Sequence, residues 1–267
     1  MKQVIFTADD FGLTPEVNEA VETAHTHGVL SCASLMVGAP AAGDAVARAR
    51  RLPSLRVGLH VTVADGKALL PRVEIPTLAD AQGMLPRNLV TAGVHWFFSP
   101  AARRDLAREI RAQFEAFRAT GIKLDHVNAH NHMHLHPTVL GIIMRVARDF
   151  GAPPMRLPWE PPAGLLTPWL ALLRARLRAA GIRHNDVLVG MATTGHLTAG
   201  KVTAALTHLQ DGVTEFYFHP ASRGTPDLEA QAPGYDRLGE LEALLSPEVA
   251  SALRDKGLKT VGFSDLM

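Results

Sequence analysis

Residues 2–28 read KQVIFTADDFGLTPEVNEAVETAHTHG and contain, in order, a strand, a polar turn and a helix. The first seven residues have strand-like character, and two carboxylates, Asp9 and Asp10, follow where the apolar run ends. Pro15 marks a helix start and Gly28 a helix stop around a stretch with helical apolar spacing. A strand followed by a helix predicts one unit of a parallel α/β sheet.

The same alternation recurs along the chain. The strand candidates are KQVIFTA, LSCASLMV, RVGLHVTV, KLDHVN, DVLVG, TEFYFH and KTVGF. Helical spacing occurs between them, in residues 14–28, 41–52, 100–121, 136–151 and 197–210. This order predicts a mostly parallel sheet with right-handed crossovers, and we expect an irregular (β/α) barrel rather than an open sheet. No long linker or repeat interrupts the chain, so residues 1–267 are predicted to form a single domain.

Two stretches fit the alternation poorly. Residues 64–99 are punctuated by proline and contain the apolar GVHWFF, and residues 152–168 are rich in proline. We expect both to be long loops that either shape a binding site or move. A third stretch, residues 164–181, is apolar and ends in arginines, and we interpret it as a helix packed on the core.

Composition excludes several classes of protein. Apolar residues make up 47% of the chain and charged residues 20%, with a net charge of +1, so nothing favours disorder or a nucleic-acid partner. The single cysteine, Cys32, cannot form an internal disulfide and is expected to be a buried small hydrophobe. The longest apolar run is too short to span a bilayer, and Met1 is followed directly by a strand rather than a signal peptide. The sequence therefore predicts a cytoplasmic protein.

Polar residues stand at the downstream ends of the predicted strands: Asp9, Asp10, His60 and His219. Each has a purely structural interpretation, because an Asp can cap a turn and a His can be hydrogen-bonded in the core or end a strand. In α/β sheets and barrels, however, this edge is where chemistry is built. Two adjacent carboxylates repel each other unless a cation lies nearby, so a bound metal would allow them different roles.

The stretch LDHVNAHNHMHLHP, residues 124–137, holds five of the thirteen histidines. They are His126, His130, His132, His134 and His136. The last four alternate and would share one face of an extended strand. Because a divalent ion needs only two or three imidazoles, we expect one or two ligands from this tract, and caps or substrate contacts from the rest.

Arg156 is the one guanidinium in the proline-rich residues 152–168. It could orient a carboxylate, bind substrate or pair with Glu160. Taken together, these residues suit a mononuclear hydrolase in which one Asp and two His hold an ion and leave positions open for water and substrate.

The combined motifs resemble the YdjC-type carbohydrate deacetylases. TADDFG, VGLH, the spaced histidine tract and a late HP occur in family order over nearly the whole chain. Proteins of this family resemble polysaccharide deacetylases in having an irregular (β/α) barrel with a divalent metal at its rim. The resemblance implies that Asp10, His60 and His130 bind the metal and that Asp9 is the general base. His219 resembles the residue that protonates the leaving amine or steadies the base.

The resemblance leaves His132, His134 and Arg156 as residues that bind substrate or support the metal ligands. Asn128 and Ala129 precede His130 where the family often has Asp-Ser, so a carboxylate partner for an imidazole is missing. Zinc and magnesium are the expected ions, and manganese, iron or cobalt could take such a site.

Four stretches look closer to the HpnK branch, which is associated with hopanoid biosynthesis: VNEAVETAHTHGVL, EIRAQFEAFRATG, DHVNAHNHMHLHPTV and RLPWEP. This resemblance implies removal of acetyl from an N-acetylglucosaminyl group on bacteriohopanetetrol. Apolar, arginine-flanked stretches such as residues 164–181 could cover a lipid aglycone or rest on the inner membrane. The sequence is also compatible with a homodimer.

Three alternatives compete with this assignment. The first is a deacetylase of soluble chito-oligosaccharides such as N,N'-diacetylchitobiose. The second is a barrel hydrolase or deaminase acting on a nucleobase or cyclic amide, but such sites usually begin with H-x-H, where this chain has Asp9 and Asp10. The third is a non-enzymatic metal-binding protein, for which the histidine tract alone would suffice.

Overall fold

The computed structural model describes residues 2–266, which form an α/β fold around one parallel sheet. The six strands are β1 Lys2–Phe11, β2 Cys32–Leu35, β3 Arg56–Val61, β4 Leu124–Ala129, β5 Val187–Val189 and β6 Gly212–Phe218. They lie in the order β4-β3-β2-β1-β6-β5, and every neighbouring pair is parallel. Six of the seven predicted strands are therefore confirmed.

Ten α-helices occur in the described part of the chain. They are α1 Pro15–His27, α2 Ala42–Arg51, α3 Leu89–Phe98, α4 Pro100–Ala119, α5 Pro137–Ala147, α6 Thr167–Ala179, α7 Ala199–Thr207, α8 Pro226–Gln231, α9 Arg237–Leu245 and α10 Pro247–Asp255. Several begin at the predicted signals. Thr14 caps α1 by accepting a hydrogen bond from the Val17 backbone N–H, and prolines open α1, α4 and α5.

The sheet curls into a half-barrel. It does not close into a full barrel, because the two edge strands, β4 and β5, do not pair with each other. The irregular barrel class is confirmed, but the expected closure is wrong. The seventh strand candidate, KTVGF, makes a single bridge between Thr260 and Val4 and then forms a short 3₁₀ turn, Phe263–Asp265. Phe263 packs with Ile5 and Cys32 in a small separate core, so the segment seals one face of the sheet instead of extending it.

The structure differs from the sequence-based predictions in three further places. Residues 89–98 are not loop but helix α3, which starts where Asn88 accepts a hydrogen bond from the Thr91 backbone N–H at 3.1 Å. Helices α8 to α10 were not expected, because segments of six to nine residues carry little periodic signal. The core interpretation of residues 164–181 holds only for one face of α6: Leu170, Leu173 and Leu177 are buried, but Leu172 is 49% exposed.

Strand β1 runs through the middle of the core and carries the first functional candidates. Val4, Phe6 and Ala8 are fully buried, and the Phe6 ring stacks on Phe216 of β6 with a centroid separation of 5.1 Å. Packing on both sides of β1 fixes the position of the carboxylates at its end. Among the described residues, none of the helices combines the length and apolar character needed to cross a bilayer.

Candidate active site

The carboxyl ends of the strands bring the predicted polar residues together. Asp9 and Asp10 lie at the end of β1 and His60 at the end of β3, while His130 and His219 directly follow β4 and β6. Because parallel strands end at the same edge of a sheet, all five side chains line one cavity of about 290 Å³. The rest of its wall is Ala129, Asn131, His132, Thr194, Gln231, Ala232, Pro233, Tyr235 and Arg237.

Asp10 has an unusual backbone conformation. Its φ is +62°, in the left-handed region, and the register between β1 and β2 shifts between Ala8 and Phe11. Successive side chains of a regular strand point to opposite faces, whereas this break lets both Asp9 and Asp10 line the same cavity. A left-handed non-glycine residue costs free energy, and such residues cluster at functional sites.

Three potential ligand atoms converge at Asp10. Its Oδ1 atom lies 3.6 Å from His60 Nε2 and 3.2 Å from His130 Nδ1. All three side chains are buried, and neither Asp10 Oδ1 nor His130 Nε2 has a hydrogen-bond partner among the described residues. The arrangement thus leaves a buried carboxylate oxygen beside two imidazoles without a donor to satisfy it.

Asn128 determines the protonation pattern of His60. The Asn128 Nδ2 group donates to Asp9 Oδ1 at 3.0 Å and to Ser34 Oγ at 2.9 Å. Because an ionised carboxylate only accepts, the amide nitrogen must face Asp9, and the Oδ1 atom then accepts from His60 Nδ1 at 2.7 Å. The lone pair of neutral His60 is therefore on Nε2, the nitrogen that faces Asp10.

The hydrogen-bond chain continues away from the cavity. Ser34 Oγ accepts from Asn128, so its hydroxyl donates to His126 Nε2 at 3.0 Å, and His126 Nδ1 donates to Asp125 at 2.9 Å. His126 is fully buried, and Gly58 makes room for its ring, since a Cβ there would lie 2.5 Å from three ring atoms. The serine, histidine and aspartate resemble a catalytic triad in order alone, because all three are buried away from the cavity wall.

The histidine tract does not continue as a strand. β4 ends at Ala129, and the next residues form a short 3₁₀ segment, His130–Leu135, in which Asn131 and His132 have φ of +53° and +50°. The tract is not an extended strand, so the four alternating histidines do not share one face. The turn brings His130 against Asp10 and places His132 in the cavity wall.

The remaining histidines of the tract lie outside the cavity wall. His134 is buried behind His132, with 5.9 Å between the ring centroids. His136 contacts Trp96 of α3 edge to face, with a centroid separation of 6.1 Å. Pro137 then opens α5, as its sequence position predicts.

Asp9 forms a buried network with Arg156. The guanidinium donates from Nη2 to Asp9 Oδ1 at 3.0 Å and from Nη1 to Oδ2 at 2.5 Å, and it also binds Glu215 from Nε and Nη2. Arg156 is fully buried and outside the cavity wall, so of the three roles open to it, orienting a carboxylate is the one observed. Glu160 instead accepts from the backbone N–H groups of Gly190 and Ala192.

These contacts act on the charges of the two carboxylates. Burial opposes the ionisation of Asp9, but the Arg156 charge outweighs it and holds the pKa of Asp9 well below its usual range. Burial likewise opposes the ionisation of Asp10, whose pKa is lowered by contact with His130. Both side chains are anionic at neutral pH, which creates a negative potential beside two imidazoles.

His219 also lines the cavity. Its ring packs edge to face against Tyr217 and Tyr235, with centroid separations of 5.4 and 5.2 Å. The backbone N–H of His219 donates to Glu240 at 2.5 Å, which fixes the chain after β6. Burial lowers the pKa of the imidazole to about 4, so His219 is neutral near pH 7.

The residues at Asp10 fit a divalent ion. One carboxylate and two imidazoles form a common three-ligand set for catalytic metal centres, and the three atoms lie within 4.8 Å of one another. The unsatisfied Oδ1 atom of Asp10 and the Nε2 lone pair of His60 are what such an ion requires. A contact between Arg237 and the other oxygen of Asp10, at 3.5 Å, leaves Oδ1 available.

Several residues of this site have little or no signal in the sequence. In the sequence Asn128 is notable only as a departure from Asp-Ser, whereas in the structure it is the hydrogen-bond partner of His60. Glu215 lies within the apolar strand TEFYFH, where a charged residue is itself a signal of a buried partner. Ser34, Tyr235 and Arg237 stand in stretches with no comparable signal.

The fold and the cavity define an α/β protein with acidic and imidazole groups at the carboxyl edge of a parallel half-barrel. Residues 3–255 match the family described as YdjC-like protein, and the chain belongs to this family. It is 30% identical over 265 residues to a carbohydrate deacetylase from Brevibacillus brevis (strain 47), with 99% of each chain covered. A carbohydrate deacetylase from Vibrio vulnificus (strain YJ016) is 31% identical over 278 residues, with 99% of this chain and 96% of the relative covered.

A solved structure extends the comparison to the fold. The crystal structure of an Enterococcus faecalis V583 protein, described as a candidate cellobiose-phosphate cleavage protein, superimposes with a TM-score of 0.81 at 26% identity. The match covers 98% of this chain and 97% of that chain. The relationship therefore spans all six strands rather than one motif.

Proposed function

We propose that this protein is a metal-dependent carbohydrate deacetylase that hydrolyses the N-acetyl group of an N-acetylglucosaminyl unit to acetate and a free amino sugar. The observation that carries the proposal is the unsatisfied Asp10 Oδ1 between His60 Nε2 and His130 Nδ1, with Asp9 in the same cavity. The carbohydrate deacetylases among its relatives support the reaction class.

Asp10, His60 and His130 would hold the ion. When bound, it would supply positive charge that polarises the acetamide carbonyl and makes a neighbouring water more acidic. Two imidazoles and one carboxylate suit zinc better than magnesium, which prefers oxygen ligands and keeps its waters. Asn128 holds the His60 ring so that Nε2 faces this position.

Asp9 is the proposed general base. Its carboxylate lies in the cavity wall, and two hydrogen bonds from Arg156 fix its orientation. Because Arg156 lowers the pKa of Asp9, this carboxylate is a weak base and can deprotonate only a water that is already acidic. The base and the ion therefore depend on each other.

His219 is the proposed proton donor to the leaving nitrogen, which must be protonated because an amide anion is a very poor leaving group. The ring lines the same cavity as Asp9 and is neutral before the reaction, because burial lowers its pKa to about 4. The proton that it donates is the one that Asp9 has removed from the attacking water, and an imidazole with a low pKa gives up such a proton readily. His132 lies in the wall beside Tyr217 and is proposed to contact substrate.

We assign the sugar to a hopanoid lipid, bacteriohopanetetrol carrying N-acetylglucosamine, with diacetylchitobiose as the soluble alternative. Helix α3 gives the lipid assignment partial support: Val90, Val94 and Phe98 are 75%, 57% and 74% exposed. Exposed apolar side chains of this kind suit peripheral contact with a membrane. Acetate release from both substrates tests the assignment, and preference for diacetylchitobiose would reject the lipid while leaving the chemistry intact.

Three alanine variants test the site. Asp9→Ala should lower turnover by at least about 100-fold and retain metal, whereas His130→Ala should lose metal and activity together. His132→Ala should retain metal, and exposed His208 replaced by alanine is the matched control for losing an imidazole. An active Asp9→Ala protein would contradict the base assignment, and metal loss from His132→Ala but not His130→Ala would contradict the ligand assignment. A measured stoichiometry of about one metal ion per chain would support the enzyme, whereas several ions per chain would indicate a metal-storage protein.

A further inference from the structure

A second cavity of about 400 Å³ lies next to the candidate active site along the same edge of the sheet. Gln231, at the end of α8, lines both cavities. Leu13 of the second cavity donates its backbone N–H to the Asp10 carbonyl at 2.9 Å, and Thr62 stands two residues after His60. The two cavities therefore share walls built on the same backbone as the proposed metal ligands.

The interior surface of the second cavity is mainly aliphatic. Leu13, Met36, Leu69 and Met84 supply its larger apolar side chains, and of the described residues that line it none is aromatic. Met36 is buried, while Leu69 and Met84 are 36% and 37% exposed. Partly exposed aliphatic side chains around a concave surface favour an apolar ligand.

The buried polar side chains that line this cavity already form hydrogen bonds within the protein. Glu109 accepts from the backbone N–H groups of Leu69 and Leu70 at 2.8 and 3.0 Å. Gln113 donates to the Thr62 carbonyl at 2.7 Å and accepts from the Thr62 backbone N–H at 2.9 Å. A sugar ring that entered would lose its hydration without gaining these partners, whereas a hydrocarbon has no such requirement.

We propose that the second cavity binds an aliphatic aglycone attached to the acetylated sugar. This inference rests on the proposed function, because it places the sugar in the first cavity, beside Asp9 and Asp10. Lys67, Arg87 and Asp227 belong to the lining and supply charge around the aliphatic surface. Because the larger apolar side chains are aliphatic and Glu109 and Gln113 already bond within the protein, the proposed occupant is an alkyl or alicyclic chain rather than a second pyranose ring.

A chain-length series tests the proposal. Metal-loaded protein is assayed for acetate release from the methyl, butyl and hexyl glycosides of N-acetylglucosamine, with N,N'-diacetylchitobiose for comparison. Each buried methylene is expected to lower KM about twofold to fourfold, so the hexyl glycoside should have a KM at least about tenfold below the methyl glycoside.

The double variant Leu69→Ser/Met84→Ser should abolish the gain with chain length, so that the hexyl and methyl glycosides have similar KM values. Leu172→Ser removes a similarly exposed leucine from α6, outside the cavity wall, and should retain the full gain. Equal KM values along the series would overturn the proposal. A lower KM for diacetylchitobiose that the double variant raises would also overturn it, in favour of a second sugar.

Calorimetric binding of the hexyl and methyl glycosides keeps this test separate from the proposed function. If no glycoside releases acetate but the hexyl compound binds at least about tenfold more tightly, and the double variant removes the difference, the aglycone site stands and the proposed reaction fails. If acetate is released with no dependence on chain length in KM or Kd, the reaction stands and the aglycone site fails.

Discussion

Asn128 Oδ1 accepts a hydrogen bond from His60 Nδ1 at 2.7 Å, and this contact directs the Nε2 lone pair of His60 towards Asp10. A carboxylate at position 128 would add negative charge next to Asp9, which Asn128 contacts through its amide nitrogen at 3.0 Å. The asparagine gives the same orientation of His60 without that repulsion, and it adds a donor for Asp9. The departure from Asp-Ser therefore preserves the partner of the imidazole.

Replacing Asn128 with alanine should weaken metal binding. The ring of His60 would lose its acceptor and both its tautomer and its orientation would become free, so we expect the Kd for zinc to rise about 10- to 100-fold. Competition with a chromophoric chelator measures this change without depending on catalytic activity. Asn88→Ala removes an exposed amide that caps α3 and should leave the Kd unchanged. An unaltered Kd in Asn128→Ala would show that the amide does not orient His60.

Arg156→Met should destabilise the fold strongly. The substitution leaves Asp9 and Glu215 buried without the guanidinium that both bind, and breaking a buried pair in this way typically costs about 3–5 kcal/mol in free energy of unfolding. Urea denaturation measures the loss. We expect Glu215→Gln to rescue part of it in the double variant, because one of the two unpaired charges is then removed.

The double-mutant cycle also decides whether the three groups act as one unit. A coupling energy of more than about 1 kcal/mol between the two substitutions is expected for side chains in direct contact. If the losses in free energy of unfolding from the two substitutions simply added, Arg156, Asp9 and Glu215 would not act as one network. The exposed pair of Arg111 and Asp149, at 2.6 Å, is the control, and its coupling should be below about 1 kcal/mol.

The sequence predicts most of the frame and part of the site. Strand ends are predictable because an apolar run that stops at a polar residue marks the edge of the sheet, which places Asp9, Asp10 and His60 together. The path of the histidine tract cannot be predicted in this way, because the left-handed turn at Asn131 and His132 depends on the packing around it. Partners such as Glu215 and Ser34 come from distant strands, and no local pattern connects them to Asp9.

Asp125→Asn should lower stability in a pH-dependent way. Burial opposes the ionisation of Asp125, but hydrogen bonds from His126 and from the backbone N–H of Ser264 lower its pKa to about 2. The folded pKa lies below the unfolded value of about 3.9, so the carboxylate contributes stability above about pH 4 that is lost as the pH falls towards 2. We expect the variant to be about 2 kcal/mol less stable near pH 7, with the difference shrinking below about pH 4.

Urea unfolding at several pH values between about 3 and 7 checks this dependence. Asp149→Asn, at an exposed ion pair, should differ from the unmodified protein by less than about 1 kcal/mol throughout. A loss of stability in Asp125→Asn that does not depend on pH would mean that the substitution acts through packing rather than through charge. The packing concerned is that of His126 on Phe263, whose ring centroids are 4.7 Å apart.

Metal should bind at Asp10 and not at the other group of potential ligands, which is Cys32, Asp125 and His126. Burial raises the pKa of the Cys32 thiol, which stays protonated and is a poor ligand, and both nitrogens of His126 are hydrogen-bonded.

Cys32→Ser should therefore retain about one zinc per chain and the thermal stabilisation that zinc gives, whereas Asp10→Asn should lose both. Elemental analysis and thermal unfolding with and without a chelator provide the two readouts. If Cys32→Ser lost zinc and Asp10→Asn kept it, the metal site would instead be the buried group of Cys32, Asp125 and His126. Such a centre could not reach substrate, because none of its three ligands lines the cavity that contains Asp9.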